Sequence, residues 1–346
     1  VTKDGERAIN LPVEERTRAW AIPLESEPSR VEIDHGFRLL SNMTVEGSTK
    51  LLIASLTADS CVVGRIRAAK ALAKAGSPKA IEALTNALTA DPFWGVRAEI
   101  ARLLGTLGTA AARTALLAAT PDPHCKARAA VVDALGHLPR HPEVEAVLTR
   151  IATEGDPSLQ VEGSAIRALC RCKAEHAVEL AMAVAERPCW GAVLPCRMLE
   201  GLALTHDEAV LPTLLAWTAP DKPERARCTA AASMGRLAKR VDSVKPAVVD
   251  ALTAMVQTGG FRLKYTAISA LGTTGSTAGL SVLRAIHEGQ SDGRVRRGAY
   301  EAIQRINAAN KNGGATGQLR RDIDQLREQN KKLRSRVDLL EHTPAD

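Results

Sequence analysis

Seven cysteines and eight histidines are the residues of this chain that could bind zinc or act as nucleophiles. No cysteine pairs or cysteine–histidine sets stand at zinc-finger spacing. Most of the cysteines occupy positions where repeated segments, described below, carry Ala, Val or Gly, which predicts buried or half-buried packing thiols. The cysteines are Cys61, Cys125, Cys170, Cys172, Cys189, Cys196 and Cys228.

The pair His287-Glu288 is the closest approach to a zinc-hydrolase motif. That motif, H-E-x-x-H, places two imidazoles on one metal and a Glu on the attacking water, but Ser291 stands where the second His is required. His137 and His141 have helical spacing, but Pro139 between them breaks the helix, which predicts a solvated loop. The sequence therefore predicts no catalytic residue, metal site or cofactor in this chain.

Two tryptophans in matching positions are the candidate binding residues. Trp94 and Trp190 each follow a proline by two residues, and each precedes a glycine that marks a repeat, Gly105 or Gly201, by the same distance. One interpretation places each ring as packing between neighbouring repeats. The other has each ring present an aromatic face at the mouth of a groove.

Charge and hydropathy restrict the classes of partner. The formal charge of +7 permits an acidic partner, but Lys and Arg are spread along the chain beside acidic residues and aromatic residues make up only 3%. This pattern does not favour nucleic-acid binding. No stretch of 18 apolar residues and no signal segment is present, which predicts a chain without a membrane span. The compartment stays open, with a preference for the cytoplasm.

A repeated segment of 31–37 residues supplies the elements that carry these side chains. Its clearest copy is 91–108, DPFWGVRAEIARLLGTLG, and each copy has a small residue after an apolar one near its end. A period near this length with two helices per copy is typical of an α-solenoid, in which neighbouring repeats bury each other's apolar faces. The eight marker residues are Ala73, Gly105, Gly136, Cys170, Gly201, Gly235, Gly272 and the most divergent, Gln304.

An acidic and a basic residue recur before these markers, the Asp fourteen and the Arg eight residues upstream. Asp-Pro pairs such as Asp91-Pro92 predict that the Asp caps a helix whose first position is the proline. Glu162 and Val193 interrupt the basic position, which Lys264 and Arg296 retain. The recurring motif residues are Asp59, Arg65, Asp91, Arg97, Asp122, Arg128, Asp221 and Arg227.

These residues resemble HEAT repeats, whose second helix reads D-x-x-x-x-V-R-x-x-A-x-x-x-L-G. The resemblance implies an all-α fold, an α-α solenoid of about eight repeats, which we place at residues 36–308. HEAT repeats by themselves imply no activity.

Residues 1–35 differ from the repeats. Apolar and polar residues alternate over 9–13, 18–24 and 28–34, which predicts short β-strands. Three such strands bury too little surface to stand alone, so we expect them either to pack on the first helices or to complete a sheet as the end of a β-sandwich.

The C-terminal residues have a different period. Residues 309–317 are rich in Gly, Ala and Asn and predict a flexible linker, and 318–341 predict a coiled-coil helix. β-Branched residues and Asn330 at a, with leucines at d, favour a parallel homodimer. The alternative is a single helix that docks elsewhere or frays. The seam residues are Leu319, Ile323, Leu326, Asn330, Leu333, Val337 and Leu340.

The order of segments gives a second resemblance. PSRVEIDHG at 28–36, FRLLSNM at 37–43, VVGRIRAAKAL at 62–72 and DPFWGVRAE at 91–99 resemble the end of the β-sandwich and the start of the helical C-terminal domain of bacterial aminopeptidase N-like zinc peptidases. This implies a non-catalytic C-terminal portion that walls the substrate chamber, with the catalytic domain of the same polypeptide as its partner. Zinc and the H-E-x-x-H helix would belong to that upstream domain, and the first residue, Val1, agrees with a fragment or a processed product.

Two further interpretations remain. A stand-alone HEAT-repeat scaffold would bind a protein or peptide partner on its concave face. A repeat-containing lyase-like enzyme would need a catalytic constellation, which the sequence does not display. The enzymatic status of the parent protein is therefore open.

Overall fold

A computed structural model describes residues 2, 5–12, 16–34, 37–311, 323, 325–327 and 329–330. The chain divides into two compact units, Val1–Ala134 (unit 1) and Leu135–Asp346 (unit 2). Sixteen α-helices form in the described residues, and they pair into eight helical hairpins. The predicted fold class, an all-α HEAT-repeat solenoid, is confirmed.

Unit 1 contains three hairpins. Their helices are α1 (Thr49–Ala58), α2 (Val62–Ala75), α3 (Pro78–Ala90), α4 (Trp94–Leu107), α5 (Ala110–Ala118) and α6 (Cys125–Leu135), which ends at the unit boundary.

Unit 2 contains five hairpins. Their helices are α7 (Pro142–Glu154), α8 (Leu159–Cys172), α9 (Ala177–Ala185), α10 (Val193–Thr205), α11 (Leu211–Ala216), α12 (Glu224–Ala238), α13 (Lys245–Thr258), α14 (Phe261–Thr274), α15 (Leu280–Gly289) and α16 (Gly293–Lys311). The second helices of the hairpins, α8, α10, α12, α14 and α16, contact one another in that order. We call the solvent-facing side of this row the second-helix face.

Leucines and alanines build the core, and the marker glycines let neighbouring second helices approach closely. Leu104 and Leu271 are fully buried. A Cβ atom added to Gly272 would lie 2.8 Å from the Cα of Ala302, and one added to Gly105 would lie 2.9 Å from the carbonyl oxygen of Ala134. The small residue that marks each repeat is therefore a contact point between helices.

Several second helices end as the sequence predicts. Gly76, Gly108 and Gly275 follow α2, α4 and α14 with φ angles of 61°, 66° and 69°, in the left-handed region that favours glycine.

The predicted role of the Asp-Pro pairs as helix caps is wrong. α4 begins at Trp94 with Phe93 at the N-cap, so Pro92 lies before the helix rather than inside it. Asp91 is the C-cap residue of α3, and its Oδ1 accepts the backbone N–H of Phe93 at 2.8 Å. The Asp thus closes a turn between the two helices of a hairpin and delays the start of the second helix.

The strands predicted within 1–35 are also wrong for the described residues. The only pairing described there is an isolated bridge between Thr2 and Gly5. A strand needs a neighbour to satisfy its backbone, and here the carbonyl groups of Val31 and Ile33 instead accept hydrogen bonds from Ser55 in α1 and Arg67 in α2, each at 3.3 Å. This segment packs on the first helices, which was one of the two expected outcomes.

Most of the predicted linker and coiled-coil helix, residues 309–341, lies outside the described residues. Of the seam, Ile323, Leu326 and Asn330 are described; they are helical and exposed. Among the described helices, none combines the length and apolar character needed to cross a bilayer.

Candidate functional site

A ladder of buried ion pairs joins the repeats of unit 1. Arg65 donates to both carboxylate oxygens of Asp91, at 2.7 and 3.2 Å, and Arg97 does the same to Asp122, at 2.7 and 2.9 Å. Each arginine also donates to the backbone carbonyl group of the Asp in its own hairpin, Asp59 or Asp91, at 3.0 and 2.8 Å. The recurring Asp and Arg therefore couple one hairpin to the next.

Ionisation at this ladder is fixed by the hydrogen bonds. Burial opposes the charge on Asp122, but the hydrogen bonds from Arg97 and from the His124 amide outweigh it, so the pKa of this carboxyl group is lowered. The same hydrogen bond raises the pKa of Arg97. Arg128 continues the pattern within its hairpin by donating to the Asp122 carbonyl oxygen at 2.8 Å. The ladder is a structural element that stays charged at neutral pH.

Unit 2 contains the same pair with its charges exchanged. Glu162 stands at the Arg position of its repeat, and Arg187 stands at the Asp position of the next. Arg187 Nη1 lies 3.5 Å from Glu162 Oε2, and the Asp156 amide donates to Glu162 Oε1 at 3.2 Å. The interruption at Glu162 thus keeps an ion pair between neighbouring repeats.

The next position of the pattern has no ion pair of this kind. Val193 replaces the arginine, and Asp221 is exposed and pairs with its neighbour Lys222 at 3.1 Å. Arg227 donates to the Thr218 carbonyl oxygen at 2.9 Å rather than to Asp221.

The cysteines behave mainly as packing residues. Cys170, Cys172 and Cys196 are buried, and three more are half-buried, but Cys125 at the start of α6 is exposed, contrary to expectation. All seven are free thiols. Burial raises the pKa of Cys170 to about 12, so this thiol stays protonated. In the described part of the chain, no three His, Cys, Asp or Glu residues are placed to hold a metal ion.

The two candidate tryptophans have different environments. Trp94 is half-buried and stacks on His124 of the next repeat, with 4.8 Å between ring centroids and 6° between planes. Lys126 Nζ lies 4.8 Å from the same ring. Trp190, in contrast, is 86% exposed on a turn in which Gly191 and Ala192 both have left-handed backbone conformations. Trp94 therefore packs between repeats, and Trp190 offers its ring to solvent.

A cavity of about 510 Å³ opens on the second-helix face of unit 2, between α10, α12 and α14. Phe261 and Tyr265 form an apolar wall with ring centroids 6.2 Å apart, and they are 44% and 40% exposed. The charged residues of its lining are Glu200, Glu224, Arg225, Arg236 and Arg262.

The charges around this cavity are not balanced. Glu200 is shared by Arg167 at 3.2 Å and Arg197 at 2.8 Å. Arg225 donates to the Gly191 carbonyl oxygen at 3.0 Å, and Arg236 makes only contacts with its own helix. Among the described residues, neither of these arginines nor Arg262 forms an ion pair. The cavity therefore presents three uncompensated positive charges beside an aromatic wall.

Sequence reasoning identified Trp190 but missed the cavity that adjoins its turn. A signal was present, since Arg225, Arg262 and Arg294 each stand ten residues before the marker of their repeat. Arg294 lies over the Phe261 ring, 4.2 Å from its centroid, and pairs with Asp292 at 2.8 Å. Periodic arginines on a solvent-facing helix position are easily overlooked when the search is for metal ligands and nucleophiles.

The sequence matches HEAT repeats over residues 49–124 and 211–304. No curated protein matches the chain.

Solved structures with similar folds include three that differ widely in role. Human deoxyhypusine hydroxylase is 20% identical, with a TM-score of 0.35, over 75% of this chain and 96% of that one. The CpcE–CpcF complex of phycocyanin lyase from Nostoc sp. PCC7120 is 21% identical, with a TM-score of 0.38, over 77% and 90%. Yeast importin-β (Kap95p) is 13% identical, with a TM-score of 0.47, over 74% and 40%.

Proposed function

We propose that this chain is a protein-binding scaffold whose second-helix face in unit 2 receives the partner. The observation that carries this proposal is the cavity between α10, α12 and α14, where three arginines without ion pairs lie beside two partly exposed aromatic rings. Charged groups left unpaired around an apolar wall are typical of a surface that is completed by another molecule.

The repeat architecture supports the same conclusion. Five second helices in a row offer one continuous surface made of side chains from successive repeats, so a partner contacts several repeats at once. HEAT repeats match both units of the chain. The ion pairs between hairpins hold the repeats in register without occupying this face.

The second candidate is the C-terminal portion of an aminopeptidase N-like zinc peptidase. It depends on the four sequence segments between residues 28 and 99, whereas the repeat match and the cavity favour the scaffold. In that alternative the partner is the catalytic domain of the same polypeptide, and zinc is bound there.

Photo-crosslinking in the source cells tests the scaffold proposal. A crosslinking amino acid at Thr229, inside the cavity, is compared with one at Asp250, which is exposed on α13, the first helix of its hairpin. We expect discrete protein adducts at Thr229 and none of the same adducts at Asp250. Identical adducts at both sites, or none at Thr229, would contradict the proposal. A catalytic peptidase domain crosslinked to Thr229 would support the second candidate.

A further inference from the structure

The spacing of two arginines in the cavity specifies what kind of peptide fits it. Arg225 and Arg262 occupy equivalent positions on α12 and α14, which contact each other directly. Packed helices have axes roughly 8–10 Å apart. An extended peptide advances roughly 3.3 Å per residue, so about three residues span the distance between neighbouring helices.

We infer that the second-helix face of unit 2 binds an extended acidic peptide segment with two carboxylates three residues apart, one for Arg225 and one for Arg262. The inference rests on the proposed scaffold function and assigns its partner a chemical class. Neither guanidinium has an acidic partner among the described residues. A carboxylate is the complementary group because it accepts two parallel N–H bonds from one guanidinium.

The apolar part of the cavity places the residues between the two carboxylates. Phe261 and Tyr265 extend along α14 beside Arg262 and expose 44% and 40% of their surface. An apolar side chain between the two acidic residues contacts these rings. This pairing of charge and aromatic surface fixes the register of the peptide on the face.

Trp190 adds an independent contact at one end. Its turn is tied to the cavity because Arg225 donates to the carbonyl oxygen of the adjacent Gly191. The ring is 86% exposed although its counterpart Trp94 is stacked, and the left-handed Ala192, with a φ of 53°, costs about 1–2 kcal/mol. Such a turn supports an aromatic anchor for a second apolar side chain of the peptide.

The local charges favour a peptide over a nucleic acid. Glu224 lies exposed on the rim beside Arg225 and would repel a continuous phosphate backbone. Arg294 and Arg297, further along the row, are already paired with Asp292 and Glu301. The Phe261 face near Arg294 is covered by that guanidinium and is not free to stack on a base.

Fluorescence polarisation with synthetic peptides and the full-length chain tests the inference. The first probe is an extended peptide of about twelve residues with two glutamates three residues apart and one aromatic residue; the second has the same composition with adjacent glutamates. We expect the first probe to bind roughly five- to tenfold more tightly, and its affinity to fall as salt is added.

Matched charge reversals locate the binding site. Arg262→Glu removes a cavity charge, whereas Arg284→Glu removes an exposed charge from α15, a first helix. We expect Arg262→Glu to weaken the first probe by tenfold or more and Arg284→Glu to leave its affinity within about twofold. Thermal melts of both variants check that the fold is unchanged.

Three results would overturn the inference: equal affinity for the two peptides, equal loss for the two variants, or tighter binding of a single-stranded oligonucleotide that depends on Arg262. Failure of the inference is distinct from failure of the scaffold function. Protein adducts at Thr229 together with no peptide preference would retain the scaffold and exclude this class of partner.

Discussion

Arg187 and Glu162 form an ion pair in which the charges are reversed relative to Arg97 and Asp122, the residues at the same two repeat positions. The two pairs differ in burial, since the side chain of Arg187 is 38% exposed and that of Arg97 only 10%. The position thus requires opposite charges more strictly than it requires a particular residue on each side.

Charge exchange at this pair is the first prediction. Glu162→Arg alone faces Arg187 with a like charge and should destabilise unit 2 by about 1–2 kcal/mol, because the pair is partly solvated. The double variant Glu162→Arg/Arg187→Asp restores opposite charges in the order used by unit 1, and should recover most of that loss. Urea unfolding of the three proteins measures the effect, and a double variant no more stable than the single one would exclude the equivalence of the two arrangements.

Asp122 in the buried ladder gives the second prediction. Asp122→Asn leaves the Arg97 guanidinium buried without its counter-charge and should cost roughly 3–5 kcal/mol at neutral pH. Asp207→Asn is the control, since Asp207 is exposed and accepts only a backbone N–H, from Ala209, which Asn also accepts. Equal unfolding free energies for the two variants would contradict the role of the buried pair.

The pH dependence of the same variant follows from the sign of the pKa shift. The pKa of Asp122 is lowered in the folded chain, so its contribution is complete above the unfolded pKa of about 3.9 and is lost as the pH falls through the lower folded value. The stability of Asp122→Asn should therefore decline less steeply than that of the unmodified chain below about pH 4. Urea midpoints at a series of acidic pH values provide this comparison.

The repeat period and the marker residues were sufficient to predict the helical hairpins. Each marker from Ala73 to Gln304 lies in, or directly after, the second helix of its hairpin. The Asp residues were misassigned because a carboxylate before a proline satisfies the cap pattern locally, while its actual partner, an arginine 26 residues earlier in the case of Arg65 and Asp91, belongs to another repeat. Local patterns do not report such long-range pairs.

The site was less predictable than the fold, for a physical reason. Trp94 and Trp190 have the same local sequence context, Trp-Gly after a proline, yet one is stacked and the other is exposed. The difference comes from the next repeat, which supplies His124 to Trp94. The strands predicted near the N-terminus failed for a related reason, since alternation indicates a strand only where a pairing neighbour exists.

Gly272 gives the third prediction. Gly272→Ala introduces a Cβ 2.8 Å from the Cα and Cβ of Ala302 in α16, so two packed helices must separate. We expect a loss of about 1–3 kcal/mol, although alanine is the better helix former by about 1 kcal/mol. Gly289→Ala, where the added Cβ meets nothing within 4 Å, should be neutral or slightly stabilising in thermal melts. A stabilising Gly272→Ala would show that the helices are free to move apart.

The tryptophans give the fourth prediction. Trp94→Ala removes a half-buried ring stacked on His124 and should cost about 1–3 kcal/mol. Trp190→Ala removes a ring that is 86% exposed and should change stability by less than about 0.5 kcal/mol. Urea melts followed by circular dichroism compare the two, and a large loss for Trp190→Ala would indicate a structural role for that turn.

The last prediction concerns self-association through residues 319–340. Three sequence features coincide there: apolar residues spaced alternately by four and three, one polar residue, Asn330, within that seam, and opposite charges at the flanking positions Asp322 and Arg327. A solvated helical tail would require only the charges. The described seam residues Ile323 and Leu326 are helical and 39% and 56% exposed, so their apolar side chains are available to a second copy.

Two sets of substitutions test this seam by sedimentation at micromolar concentration. Asn330→Ile should strengthen association while loosening the choice of oligomer, because a buried amide lowers stability in order to specify two strands. The double change Leu326→Asp/Leu333→Asp should abolish association and leave the helical content of the repeats intact, since it places charges on the seam alone. A monomeric unmodified chain, or a dimer that persists after the double change, would show that these residues are not the interface.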